Sequence, residues 1–484
     1  MALKKNIWRT LPVNVSQAMT GFLSIIAFTH ILSPAEYGQF AIAQAVMMIS
    51  YVLVFKWLDA TCTRYHVRMD QKGELGPHFA TVYGSYFVLA AVFLGLSFVI
   101  IRALPFDPVF QLVLHVAAVA GTVRGGIMIG IESHLAAAHY GRYTVIEGAN
   151  VWLGLVAGVS FALLGLGGAA PILGLATGAL IMFGFDLPRM LGIAKGGRFQ
   201  WDRFKRYAHY GVPLAWAMVL TLLLTSIDRF FLAAYFGDST LGPYAAGYNL
   251  SQRLMELVFL AVWLGGYPTA VRALEQDGME AARTVLRDFA EVLILVATPA
   301  AAGLALVAYP LAVAMTGATF EVAASQIIPF AALAAWLAGW LNYYFNMAFA
   351  ISQNTRVLTL VNLAAVLSNV ALNALLTPRY GPMGALASAV GALLVGLGLS
   401  IWFGRKELAM PLPLVDMAKS LAGCAVMAVG VSLVPMDLGW VSLMGGALVG
   451  AGLYGASAVV LNTAKIRTAG PHLVRLFKGK GGTP

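Results

Sequence analysis

The sequence predicts an all-α polytopic membrane protein of about fourteen transmembrane helices, in two six-helix lobes with two extra C-terminal helices. Three observations predict it. The 484 residues are 60% hydrophobic and only 11% charged, with a mean hydropathy of +0.80, whereas a soluble domain carries about 25% charged residues. The apolar residues gather into runs long enough to cross a hydrocarbon core of about 30 Å as helix. The pattern of the first six runs then recurs further along the chain.

The chain opens with "MALKKNIWRTLPVNVSQAM". Its apolar part runs on to Leu32, too long for the core of a cleaved signal, and no small-residue cleavage site follows, so it reads as a retained first span. The first six spans start near Val13, Gln39, Phe79, Val109, Thr144 and Gly168. The seventh is the run from Val212 to Phe236, and the next three start near Pro243, Phe289 and Val322. The last four start near Val357, Pro382, Leu414 and Trp440. Gly and Pro inside these runs are tolerated where neighbouring helices re-satisfy the backbone.

An even number of spans puts both termini on one side, and Lys and Arg decide which. The termini and the linkers of their side hold 25 of the 31 basic residues, the opposite linkers only Arg102 and Arg379. Arg124, Arg229, Arg253 and Lys419 fall inside spans. This bias predicts cytoplasmic termini. The net charge of +10 is mostly this signal, so no nucleic-acid partner is needed to explain it. Two cysteines, Cys62 and Cys424, are too few for a disulfide framework or a metal cluster. No metal or cofactor is expected, and no Walker motif offers ATP as a direct energy source.

Among the linkers of the basic side, "RFQWDRFKRYAHY" (Arg198 to Tyr210) places Trp201, Phe204 and Tyr207 near one helical face and Arg203, Lys205 and Arg206 on others. That suits a helix lying on an anionic leaflet, or a plain solvated basic loop. "RALEQDGMEAARTVLRDFAE" reads as another helix outside the membrane, and "GGYP" at Gly265 to Pro268 as a broken or tightly turned end of span eight.

"LSPAEYGQFAIAQAV" follows the first span and "FGDSTLGPYAAGYNL" the seventh; a shift of 204 brings Gly38 onto Gly242, Phe40 onto Tyr244 and Ala41 onto Ala245. "GGAAPILGLATGALI" pairs with "RYGPMGALASAVGAL" at a shift of 210, with Gly174 on Gly384. The division expected is therefore a six-helix lobe over 1–192, an amphipathic linker over 193–211 and a second six-helix lobe over 212–404. Helices thirteen and fourteen, with a basic tail, fill 405–484. Six is even, so both copies share one orientation, as in parallel-repeat transporters.

Three stretches carry a family resemblance: "LSPAEYGQFAIA", "IDRFFLAAYFGDSTLGPYAAGYNL" and "NVALNALLTPRYGPMGALASAVGALL". In this order they resemble the polysaccharide (O-antigen type) flippases of the multidrug/oligosaccharidyl-lipid/polysaccharide exporter superfamily. That superfamily also holds lipid II flippases and multidrug and toxin extrusion (MATE) proteins. The resemblance implies two lobes around a central cavity and a substrate class, undecaprenyl-diphosphate-linked oligosaccharide units. Those units would move from the cytoplasmic to the periplasmic leaflet of the bacterial inner membrane by alternating access. It further implies membrane lipids, a glycan polymerase and glycosyltransferases as partners. One departure bears on the cargo. Lipid II flippases carry basic residues in the first, second and eighth spans. This chain has Asn14, Gln17 and Thr20 in the first and keeps Arg253 in the eighth, which points to a polysaccharide unit over a muropeptide. A cation-coupled exporter remains an alternative, although the first span has no carboxylate and Glu147 only opens the fifth. An integral polymerase or ligase is the other; the outer linkers offer no convergent acid–base pair for it.

Charges inside spans are expensive and face protein or water. Asp228 and Arg229 are adjacent and point about 100° apart on a helix. At 1.5 Å per residue, Asp228 and Arg253 lie at similar depths on consecutive spans, about 12 and 15 Å from their shared turn, and Glu256 shares a face with Arg253. The four can form an ion-pair network pinning spans seven and eight. Arg253 or Arg229 can instead meet the substrate diphosphate, which a guanidinium fork matches. Arg124, in "GTVRGGIMIG", is the lone charge of span four and either snorkels or binds substrate. Asn14, Gln17 and Thr20 form one polar stripe; Asn342, Asn346, Asn362, Asn369 and Asn373 extend a polar lining in the second copy. Each suits sugar hydroxyls or interhelical hydrogen bonds. His115 reads as a buried hydrogen-bonding residue.

Overall fold

A computed structural model describes residues 2–352, 354–437 and 439–466. The basic C-terminal tail beyond 466 lies outside the described residues. Every regular element among the described residues is helical. Contacts divide the chain into two compact units, 1–242 and 243–484.

The first unit contains α1 (Ala2–Ile31), α2 (Pro34–Val54), α3 (Lys56–Gln71), α4 (Leu75–Ala103), α5 (Pro108–Ala136), α6 (Tyr140–Leu163), α7 (Ala170–Ala194), α8 (Trp201–Leu224) and α9 (Ile227–Phe236). Helix starts follow local chemistry. Ser33 and Glu36 form a capping box on α2: the Ser33 N–H donates to Glu36 Oε2 at 2.8 Å, and the Glu36 N–H to Ser33 Oγ at 3.3 Å. Asp107 caps α5 by accepting from the N–H groups of Val109 and Phe110 at 3.0 and 2.9 Å. Both caps are followed by Pro at the first helical position. Glycines set the closest approach. A Cβ on Gly174 of α7 would sit 2.4 Å from the Gly158 nitrogen of α6, the small-residue packing usual between membrane helices.

The second unit contains α10 (Asp238–Asp277), which begins in the first, then α11 (Met279–Leu306), α12 (Ala308–Met315), α13 (Glu321–Trp340), α14 (Met347–Ile351), α15 (Thr355–Glu407), α16 (Leu414–Val431) and α17 (Trp440–Val460). Among the described residues, 13 helical stretches are long and apolar enough to cross a membrane. One of them, α15, has 53 residues and a non-helical Gly381 with φ 58°. At 1.5 Å per residue it is about 80 Å long, so it is two passes joined at a glycine whose backbone favours no other residue. The protein is an all-α polytopic membrane protein with fourteen candidate passes among the described residues.

Several local expectations are corrected. Span seven is broken: α8 ends at Leu224 and α9 begins at Ile227, with Thr225 and Ser226 between. Hydropathy averaged over the run conceals the break. The aromatic segment at 201–210 does not lie on a leaflet as a separate helix; it is the first part of α8. Phe204 packs on Trp57 and Tyr207 stacks on Tyr65, so protein, not lipid, covers them. "GGYP" leaves α10 unbroken over 40 residues; a Cβ on Gly266 would meet the Phe289 ring at 2.3 Å, so this glycine serves helix packing. "RALEQDGMEAARTVLRDFAE" is the end of one helix and the start of the next, divided at Gly278 with φ 85°.

Candidate functional site

A concentration of charge in the first unit lies at the end of the second span, where α2 gives way to α3, opposite α5. Phe55, fully buried, is the joint between α2 and α3. α5 comes close because its glycines allow it: a Cβ on Gly121 would be 2.8 Å from the Met47 carbonyl oxygen, and one on Gly125 would be 2.6 Å from Phe55. This crossing brings Arg124 to Tyr51, its guanidinium 5.7 Å from the ring centre. Tyr51 Oη donates to Asp59 Oδ2 at 2.5 Å, and Asp59 is fully buried. Lys56 Nζ lies 2.9 Å from Asp59 Oδ1 and 3.7 Å from Glu132 Oε1. Thr63 Oγ1 donates to Glu132 Oε2 at 2.9 Å. Burial pushes the Asp59 carboxyl up to about 6, with Lys56 and Tyr51 opposing the rise.

Arg124 is half-buried, its Nε has no hydrogen-bond partner among the described residues, and it forms no ion pair there. Counted from Pro108 it lies about 24 Å along α5 at 1.5 Å per residue. It is therefore a guanidinium held against an aromatic face with donors free. Sequence reasoning found Arg124 and missed Lys56, Asp59 and Glu132. "FKWLDATC" reads as the start of a basic linker, and only the continuation of helix through it brings Lys56 and Asp59 onto one face at i, i+3.

A second cluster joins α1 and α6. Gln17 Nε2 donates to Glu147 Oε1 at 2.8 Å, and Asn150 Nδ2 to Glu147 Oε2 at 3.3 Å. Glu147 is buried, while Gln17 and Asn14 are exposed. Thr20 is turned inward and donates to the Ser16 carbonyl of its own helix. A third cluster is buried between α5, α6 and α7: Asp186 accepts from Arg142 Nε at 2.8 Å and faces His134 Nε2 at 3.0 Å.

Asp228 and Arg229 stand in the first turn of α9, just after the break, and both are buried. Asp228 Oδ1 accepts from the Arg229 N–H at 2.9 Å, and Arg229 Nη1 donates to the Ala41 carbonyl of α2 at 3.5 Å. In the second unit, Arg253 and Glu256 are paired at 3.6 Å with side chains 54% and 47% exposed. Asn342 is exposed on a π-helical turn, Leu341–Phe345, between α13 and α14; such turns recur at functional sites. Beside it Asn346 accepts from Ser400 Oγ at 2.8 Å. Asn369, Asn373 and Thr377 are buried and form a ladder along one helix face. Asn362 is buried too. His115 stacks on Phe98 at 5.2 Å.

Residues 27–325 match a family described as polysaccharide biosynthesis protein. No curated protein sequence matches the chain. The fold is similar to that of the lipid II flippase MurJ in an inward closed conformation, at 13% identity and TM-score 0.77, covering 94% of this chain and 99% of that one. It is also similar to an inward-facing multidrug resistance MATE family transporter of the MOP superfamily, at 14% identity and TM-score 0.60, covering 82% and 94%. A MOP superfamily transporter from Pyrococcus furiosus matches at 14% identity and TM-score 0.53, covering 84% and 95%. At these identities the likeness is one of fold.

Proposed function

We propose that this chain, which belongs to the polysaccharide biosynthesis protein family, flips polyprenyl-diphosphate-linked oligosaccharide units across a membrane. The direction is from the cytoplasmic to the periplasmic leaflet of the bacterial inner membrane, by alternating access. The basic-residue bias supports cytoplasmic termini. A glycan polymerase and glycosyltransferases are the partners this role calls for.

The observation that carries the reading is Arg124. A guanidinium deep in a span is expensive unless it serves an anion or a water path. This one lies over Tyr51 and makes no ion pair among the described residues. A diphosphate passing it would supply two charge-assisted acceptors in the geometry that a guanidinium matches. The polar groups exposed on α1 of the same unit, Asn14 and Gln17, suit sugar hydroxyls. Asn342 in the second unit does so as well. Arg229 and Arg253 are further candidates for the diphosphate.

The test is the leaflet distribution of the lipid-linked glycan. Deleting the gene in cells without a second flippase should make the glycan-lipid accumulate on the inner leaflet, while its synthesis in membrane extracts stays normal. Arg124→Gln should reproduce the block, with Arg124→Lys keeping part of the activity. Periplasmic display of the lipid in the deletion strain would overturn the reading.

A second reading, a cation-coupled exporter of small amphipathic molecules, is favoured by Glu147, a carboxylate buried in span five. Drug efflux that persists without any glycan-lipid and is lost in Glu147→Gln would favour it.

A further inference from the structure

We infer that the basic hollow where α3 meets the start of α8 is a separate binding site for the phosphate group of a membrane lipid. It goes beyond the flippase reading and does not depend on it.

The hollow has a volume of about 850 Å³, room for a headgroup carrying one or two phosphates. Its frame is fixed. Arg203, 4% exposed, donates from Nε to Gln200 at 2.9 Å and from Nη2 to Glu74 at 3.0 Å. Glu74, the carboxylate in the wall, is thereby neutralised. Tyr207 stacks on Tyr65 at 5.1 Å, and its Oη is 2.5 Å from His78 Nδ1. Around this frame stand four more cations, Arg68, Lys72, Lys205 and Arg206. All four are exposed, and among the described residues none makes an ion pair. Four like charges converging on one concave wall raise the local potential for an anion. Arginine forks paired with lysine ammoniums suit phosphate oxygens.

The position selects a lipid phosphate. Lys205 and Arg206 stand at the mouth of span seven, six or seven residues before Val212. Trp201 and Phe199, 58% and 45% exposed, stand beside them, with Lys205 Nζ 5.9 Å over the Trp201 ring. Exposed aromatic rings beside basic residues at a span end mark the lipid headgroup level. A phospholipid headgroup and a polyprenyl diphosphate both carry the required chemistry.

The test uses the full chain in phosphatidylcholine nanodiscs and counts bound lipid by native mass spectrometry. The titrants are phosphatidylglycerol, undecaprenyl diphosphate and inorganic pyrophosphate. Arg68→Gln with Arg206→Gln should weaken binding of at least one lipid by about tenfold or more, two charge-assisted contacts being lost. Arg405→Gln with Lys406→Gln, which removes equal charge elsewhere, should not. Preference for phosphatidylglycerol assigns the site to bulk phospholipid, and preference for undecaprenyl diphosphate to the lipid carrier. Binding of pyrophosphate alone, equal loss in both double variants, or no loss in the first would each overturn the inference. Unchanged melting temperatures in the variants keep the comparison valid.

Discussion

Gly38 and Gly242 each face the backbone four residues before the other. A Cβ on Gly38 would come within 2.1 Å of the Asp238 carbonyl oxygen, and one on Gly242 within 2.0 Å of that of Pro34. The contact is reciprocal, and the shift of 204 that relates the two glycines also relates Pro34 to Asp238. A sequence repeat and a self-complementary contact thus coincide at the starts of α2 and α10. Since the obstacle is backbone, not the tip of a side chain, the helices themselves must move to admit a methyl group. Gly38→Ala and Gly242→Ala should each destabilise by about 1–3 kcal/mol, the usual range for overpacking. Thermal unfolding in detergent measures it. A parallel change at the open Gly265, where a Cβ meets nothing within 4 Å, should leave the melting temperature nearly unchanged.

The Asp59 carboxyl is pushed up by burial to about 6 from 3.8. The folded protein then binds this proton more tightly than the unfolded chain does. Its contribution is fully present below about pH 4 and is lost as pH rises through about 6. Asp59→Asn should therefore flatten the pH dependence of the melting temperature between about pH 4 and 6. A slope unchanged by the substitution would show that other groups set it.

Asp186 holds two basic side chains, Arg142 at 2.8 Å and His134 at 3.0 Å, and is itself 4% exposed. Removing the shared acceptor strands the charge of Arg142 in a mostly covered site. Asp186→Ala should cost about 3 kcal/mol or more. Asp186→Ala combined with Arg142→Met should recover part of the loss, because the stranded charge goes with it. Unfolding of the purified single and double variants, compared as a cycle, separates the pair energy from the individual effects.

The fourteen passes were legible because each needs a run of apolar residues that nothing else in the chain imitates. Gly38 and Gly242 were legible as a match, although only the structure shows why neither tolerates a side chain. The Lys56–Asp59–Glu132 group was not legible, because its members lie on two helices and the first two look like linker. The break in span seven left a faint mark in "TSID": Ser226 and Asp228 in the order of a helix start. Hydropathy outweighs such a mark inside a 25-residue apolar run. Arg124 was visible as a charge in a span, but that it makes no ion pair among the described residues depends on what packs around it.

Arg253 and Glu256 test whether charge in span eight serves the fold or the cargo. Counted from Asp238, Arg253 lies about 22 Å along α10 at 1.5 Å per residue, well inside the span. Its side chain and that of Glu256 are about half exposed, and charged groups at that depth face water or a ligand, not lipid tails. A loose, exposed pair contributes only about 0–1 kcal/mol. Glu256→Gln should accordingly leave the melting temperature almost unchanged. If the guanidinium meets the diphosphate, Arg253→Ala should abolish transport and Arg253→Lys should keep part of it. Arg253→Gln combined with Glu256→Gln then divides the two roles, since a purely structural pair loses one charge of each sign and stays neutral. Full transport by that double variant, stably inserted, would exclude a role for Arg253 in binding the diphosphate. Loss of transport at an unchanged melting temperature would assign Arg253 to the substrate.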